Sequence, residues 1–201
     1  MARFELALPF KGARNYLHGS DIFNTLSRLA PDVSGDNAAY VDHIKFARVI
    51  FHACALDTSE PADRNAVVGY VGFQSATGER TKAWLMDTET TATQRVPFDE
   101  AAVTAQVILD QEAHSATMGR QVAKTPIENI IVATKALNYS LSEPRAGQWL
   151  FGQLDLAAPL PDGYTNLRIK MTKLIRGQFS VSEISVDERN IGKIQFIAGQ
   201  V

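Results

Sequence analysis

Apolar and polar residues alternate near both ends of the chain and recur at helical spacing in between. Phe4, Leu6 and Leu8 alternate with Glu5 and Ala7, the period of a strand with one face buried, and Pro9 ends the ladder. A first strand is predicted over residues 3 to 10. A polar turn leads to His18-Gly19-Ser20-Asp21, after which Ile22, Phe23, Leu26 and Leu29 fall at helical spacing. Ser20 or Asp21 is the expected cap of a helix over residues 21 to 30 that stops before Pro31. Ile44, Phe46, Val49, Phe51 and Leu56 then fill one long strand-like segment ending at Asp57. Val67 to Phe73 and Lys82 to Met86 read as two strands joined at Thr77-Gly78-Glu79.

Asp99-Glu100 opens a second predicted helix carrying Ala102, Val103, Gln106, Val107 and Asp110, its acidic start matching the helix dipole. Residues 111 to 125 are weakly apolar and read as a loop or a frayed extension of that helix. Thr125-Pro126-Ile127-Glu128 is a strong helix start, with Thr as N-cap, Pro at the first helical position and Glu three residues past the cap. Ile127, Ile130, Ile131, Thr134, Leu137, Asn138 and Leu141 extend that helix to about residue 142. Pro144 and Gly147 break it, and Trp149 to Leu156 alternates as a strand. Leu167 to Ile175, Phe179 to Val186 and Ile191 to Ala198, joined at Gly177 and at Asp187 to Asn190, predict a closing antiparallel meander.

The fold class is therefore α+β, with an antiparallel sheet and a few helices. The order strand, helix, meander is followed by a similar one with two helices before its meander, which suggests halves 1–90 and 91–201, with a single domain 1–201 as the alternative. Ile44-Lys45-Phe46-Ala47-Arg48-Val49-Ile50 resembles Ile169-Lys170-Met171-Thr172-Lys173-Leu174-Ile175, and the same offset sets Arg64-Asn65 on Arg189-Asn190. Duplication and the alternation shared by any two meanders both account for this.

Composition narrows the classes. With 45% hydrophobic and 21% charged residues the chain is globular rather than disordered. A net charge of -2 gives no field to attract phosphates, so nucleic acid is not an expected partner. Arg168, Lys170, Lys173 and Arg176 lie along a strand and read as a solvated face. Cys54, the single cysteine, excludes an intrachain disulfide and a cysteine-based zinc site; in its strand-like run it reads as a small core residue. Residues 1 to 10 carry Glu5 and do not read as a secretion leader, and no apolar run reaches the ~20 residues of a membrane span. The expected location is cytoplasmic.

Leu167 to Gly177 followed by Phe179 to Asp187, within the stretch Trp149 to Ala198, resembles the closing strands of hotdog-fold acyl-carrier dehydratases, where a sheet wraps a central helix. The resemblance implies a hotdog-like sheet around a helix, duplicated in one chain if the first half repeats the second. It further implies a protein acting on or binding acyl thioesters, of dehydratase, hydratase or thioesterase type, with an acyl-CoA or acyl-carrier substrate and no cofactor. A first-half central helix would start at Asp21, directly after His18-Gly19. Hotdog dehydratases and hydratases use a His with an Asp or Glu near that helix, because α-proton removal needs a base and the departing hydroxyl an acid. The resemblance thus points to His18 and Asp21 as the catalytic residues. The chain departs from the family in lacking a Gly-Asp-Pro-x-x-Pro-Gly run and in having neither His nor Asp on the apolar face of its second-half helix. A thioesterase-like variant would need one carboxylate, Asp21 or Asp99, beside a polarising helix end.

The residues alone leave a plainer account open, in which Ser20 or Asp21 caps a helix and His18 is a turn residue. Asp42-His43 is a second pair, but neighbours on a strand point to opposite faces. His52 reads as a core or face histidine, His114 as exposed, and the four histidines form no metal motif. Asn129, Lys135 and Asn138 could turn polar groups into a cavity. The competing function is a non-catalytic subunit that uses the sheet to assemble with partners or with itself as a homo-oligomer.

Overall fold

A computed structural model describes residues 2–201. The chain forms two compact units, Met1–Phe98 and Asp99–Val201. Among the described residues no helix is long and apolar enough to cross a membrane.

In the first unit β1 (Arg3–Leu6) is shorter than the predicted strand. Pro9 has no N–H to give to a ladder, and beyond it β2 (Phe10–Lys11) pairs in parallel with β7 (Arg95–Val96) instead. Helix α1 (Gly19–Ser34) is longer than predicted at both ends. It continues past Pro31, which removes a single N–H, and closes at Gly35, whose φ of 72° and N–H to the Pro31 carbonyl make a left-handed cap. The long segment predicted to Asp57 is two strands, β3 (Tyr40–Phe46) and β4 (His52–Asp57). Between them the backbone bonds elsewhere, Ala47 N–H to the Val68 carbonyl and Leu17 N–H to the Ile50 carbonyl. β5 (Val67–Gln74) and β6 (Arg80–Thr91) complete an antiparallel sheet in the order β1-β4-β6-β5-β3. α1 lies on β3, β5 and β6, burying Ile22, Phe23, Leu26 and Ala30.

In the second unit α2 (Glu100–Thr104) is a short helix capped by the Asp99 carboxylate, which accepts from Ala102 N–H at 2.9 Å. It ends before Gln106 and Val107, and Asp110 belongs to β8 (Ile108–Asp110). The predicted loop 111 to 125 contains β9 (Ser115–Met118). α3 (Pro126–Leu141) starts as predicted, with the Thr125–Glu128 capping box complete. Then come β10 (Gln148–Leu156), β11 (Leu167–Ile175), β12 (Phe179–Val186) and β13 (Arg189–Gly199). The sheet order is β8-β9-β11-β12-β13-β10, so the closing meander stands as predicted. α3 lies on β9, β10, β11 and β12.

Each unit lays one long helix on one antiparallel sheet, but the residue pairing suggested for a repeat is not a structural equivalence. β3 is the first strand after α1, whereas Ile169 to Ile175 lie in β11, the second strand after α3. Arg64 and Asn65 form a helical turn, while Arg189 and Asn190 open β13. By order along the chain α1 corresponds to α3 and β3 to β10.

Candidate functional site

The start of α1 gathers the polar side chains that matter most. The β2–β7 ribbon, held by Phe10 N–H to the Gln94 carbonyl at 2.8 Å and Gly12 N–H to the Val96 carbonyl at 2.9 Å, positions Lys11. Lys11 Nζ donates to Ser20 Oγ at 3.1 Å and to Asp21 Oδ1 at 2.8 Å, and lies 4.7 Å from the centre of the Phe98 ring. His18 Nδ1 is 2.7 Å from Ser20 Oγ. Lys11, His18 and Ser20 are buried, and Asp21 Oδ2 is a buried oxygen with no hydrogen-bond partner.

This arrangement restricts the protons. Lys11 can only donate, so it occupies a lone pair of Ser20 Oγ and leaves the hydroxyl proton available to His18 Nδ1. A neutral His18 then carries its proton on Nε2 and acts as a donor there. The first N–H groups of α1, which have no helical acceptor, add positive potential at the same end. In a buried setting each of these terms is stronger than it would be in water.

His18 and Asp21, the sequence-predicted pair, are joined through Ser20 and Lys11. His18 is itself the N-cap residue, with φ -80° and ψ 132°, and its side chain makes no cap bond; neither Ser20 nor Asp21 is the cap. Lys11 was missed because its contact requires the β2–β7 ribbon. Its one sequence signal was a lysine closing an apolar strand.

The other candidates are placed differently. Asp42 is the extra residue of a β-bulge between Val41 and His43, so simple alternation does not apply; it is buried and bonds Arg80 at 2.6 Å. His52 has a partner that the sequence did not reveal, Asp87, whose Oδ1 lies 3.1 Å from Nδ1. Burial, with the Asp87 and Glu5 carboxylates adding to it, pushes the Cys54 thiol up to about 12, which suits a core residue rather than a nucleophile. His114 is exposed. Lys135 pairs with Glu100 at 2.9 Å. Asn129 Oδ1 accepts from Ala123 N–H at 3.0 Å, and Glu128 accepts from Thr125 N–H at 2.8 Å. Those two polar groups at the α3 start are thus engaged in capping and loop closure. Among the described residues no group of three or more His, Cys, Asp or Glu could hold a metal ion.

A long helix laid on a curled antiparallel sheet is the hotdog fold, and the chain has it. Solved structures that the chain matches nearly end to end include two with TM-scores above 0.5. A chain from Thermobifida fusca YX provisionally designated thioesterase II is 12% identical, with a TM-score of 0.53 over 100% of this chain and 93% of that one. The pyran synthase domain from module nine of the sorangicin pathway is also 12% identical, with a TM-score of 0.52 over 99% of this chain and 95% of that domain. No family model and no curated protein sequence matches.

Proposed function

We propose that this protein acts on acyl thioesters, carried by CoA or a carrier protein, at the start of α1, with His18 and Asp21 as the reacting groups. The observation that carries this reading is the convergence of His18, Ser20, Asp21 and Lys11 at the N-terminus of the helix on which the first sheet is built. In a dehydration, Asp21 Oδ2 would take the α-proton of a 3-hydroxyacyl thioester. His18 Nε2–H would hold the departing hydroxyl by a hydrogen bond and the protonated Asp21 would return its proton to it, so that a C–H and a C–O bond break, water leaves and both side chains regain their starting protonation. The helix end and Lys11 would favour the negative charge that develops between them. Thioester cleavage, the chemistry in the name of the Thermobifida chain, would use the same carboxylate to activate water. The buried lone cysteine supports a reducing, cytoplasmic setting.

The test is a panel of saturated, enoyl and 3-hydroxyacyl CoA thioesters, with turnover and binding measured for the wild type, His18→Ala and Asp21→Asn. The expected result is turnover of at least one class, reduced about 100-fold or more in each variant while the fold is retained. Neither turnover nor binding anywhere on the panel by the wild type would remove the reading.

One observation favours an assembly subunit instead. β8 is the terminal strand of the second sheet, and its Ile108 is 69% exposed. An apolar strand end of this kind is a template for pairing with another chain, including a second copy. A self-association that Ile108→Lys abolishes, without any thioester turnover, would select that reading.

A further inference from the structure

A trough of about 880 Å³ lies in the second unit and contains none of the residues assigned to thioester chemistry. Its size is that of a small-molecule site, about 300–1,000 Å³. α2 with Ala105 just past it forms one wall, α3 forms the other, and Leu109 of β8 adds to the lining. Space remains because Ala101, Ala105 and Ala136 present only methyl groups there and α2 is five residues long. With Val132 and Leu109 these residues make the walls apolar.

The polar part of the lining is small and partly committed. The Thr104 hydroxyl donates to the Glu100 carbonyl at 2.8 Å and the Ser140 hydroxyl to the Leu137 carbonyl at 2.8 Å, so both are turned onto their own backbone. Lys135 and Glu100 are the charged residues of the lining, and Lys135 Nζ reaches from α3 to Glu100 Oε1 on α2 at 2.9 Å. Their side chains are 21% and 27% exposed, so their charges are less screened than those of a pair on an open surface. Tyr139 follows Lys135 by one helical turn and lines the same wall.

The chemistry of this lining says what fits it. An ammonium has three protons to donate, and the Glu100 carboxylate shows that Lys135 holds an anionic oxygen in this trough. The Tyr139 hydroxyl is a second donor on the same wall. Two donors one turn apart suit the two oxygens of a carboxylate, and hydrogen bonds to an ionised group are stronger than neutral ones. An amine would meet the like charge of Lys135, and an uncharged head group would forgo the ionic part of the attraction. The methyl groups and the Val132 and Leu109 side chains suit a hydrocarbon body. A bound carboxylate shares Lys135 with Glu100, whose own negative charge opposes it.

We propose that this trough binds a small carboxylic acid with a hydrocarbon body, its carboxylate on Lys135 and Tyr139 and its chain along Ala101, Ala105, Leu109, Val132 and Ala136. The site is independent of His18 and Asp21, and its test does not use thioester turnover.

The full chain is titrated calorimetrically at neutral pH with octanoate and, separately, with octanol and octylammonium, which keep the hydrocarbon chain and change the head group. Octanoate is expected to bind, and the other two to bind about tenfold more weakly or not at all. Lys135→Met is expected to weaken octanoate binding about tenfold or more, and Glu100→Gln, which removes the opposing charge, to strengthen it. His18→Ala is expected to leave it unchanged. Should Lys135→Met fail to fold, Lys135→Gln carries the same comparison. No octanoate binding, equal binding of octanol or octylammonium, or octanoate binding that Lys135→Met leaves unchanged overturns the proposal. Weaker binding in Glu100→Gln overturns it too, because the ion pair would then serve only to hold α2 against α3. Binding lost in His18→Ala would put the acid at the start of α1 and not in the trough, which also overturns it.

Discussion

Lys11 determines whether the start of α1 can hold a carboxylate away from water. Its side chain is 4% exposed and that of Asp21 18%, so removing the cation leaves Asp21 charged and largely buried. Lys11→Met, close in shape, is expected to destabilise the protein by about 3 kcal/mol, and Lys11→Met/Asp21→Asn to recover most of that loss because no buried charge remains. Urea unfolding of the two variants checks this. Equal losses in both would mean that Lys11 matters for its stem against Phe98 and not for its charge. The same residue marks a limit of sequence reading. His18 and Asp21 were visible as candidates because they are neighbours in the chain at a helix start. Lys11 becomes part of the site only when β2 finds β7, a pairing across most of the first unit.

The β12–β13 hairpin shows how local rules and local exceptions act on an element. Its turn residues Asp187 and Glu188 both have positive φ, 46° and 68°, the geometry that matches strand twist in a two-residue hairpin. Aspartate tolerates that region, but a glutamate there carries a Cβ against its own carbonyl. Glu188→Gly is expected to raise stability by about 1 kcal/mol, read as a higher urea midpoint with an unchanged slope; no change or a fall would mean that the Glu188 side chain has contacts worth more than its strain. The turn, the closing strands and the α3 capping box could all be read from sequence because each is set by residues within one turn of each other. β9 could not. Ser115 to Met118 is too short to show a period, and it is a strand because Leu167 to Lys170 on one side and Ile108 to Asp110 on the other pair with it. The break between β3 and β4 was hidden for a related reason, since the loop residues Val49 and Phe51 are as apolar as the strands they separate.

Across the whole chain the two units share a plan and differ in what their helix starts do. At α1 the polar groups surround a carboxylate oxygen without a partner, whereas at α3 Glu128 and Asn129 close the cap and the preceding loop. The chemistry proposed above belongs to the first unit. Both units, however, tie down a loop in the same way, with one aspartate. Asp36 accepts from Ala38 N–H at 2.9 Å and from Ala76 N–H at 2.7 Å, joining the loop after α1 to the β5–β6 turn. Asp187 accepts from the Thr165 hydroxyl at 2.7 Å and the Asn166 N–H at 2.8 Å, joining the loop before β11 to the β12–β13 turn. These bonds favour the ionised form, so the Ala38 and Ala76 N–H groups hold the Asp36 carboxyl below its ordinary value of 3.8, and the Thr165 hydroxyl and Asn166 N–H do the same for Asp187. Depressed carboxyls contribute stability that is fully present above the unfolded value and is lost as pH falls through the lower folded value. Asp36→Asn and Asp187→Asn keep an acceptor oxygen but do not titrate. Each should be less stable than the wild type at neutral pH, and its gap should narrow below the ordinary value of 3.8 and close as the carboxyl it replaces protonates in the wild type. Denaturant midpoints from neutral pH down to about pH 2.5 measure it, and a gap that stays constant across that range would show that the two clamps act through shape and not through charge.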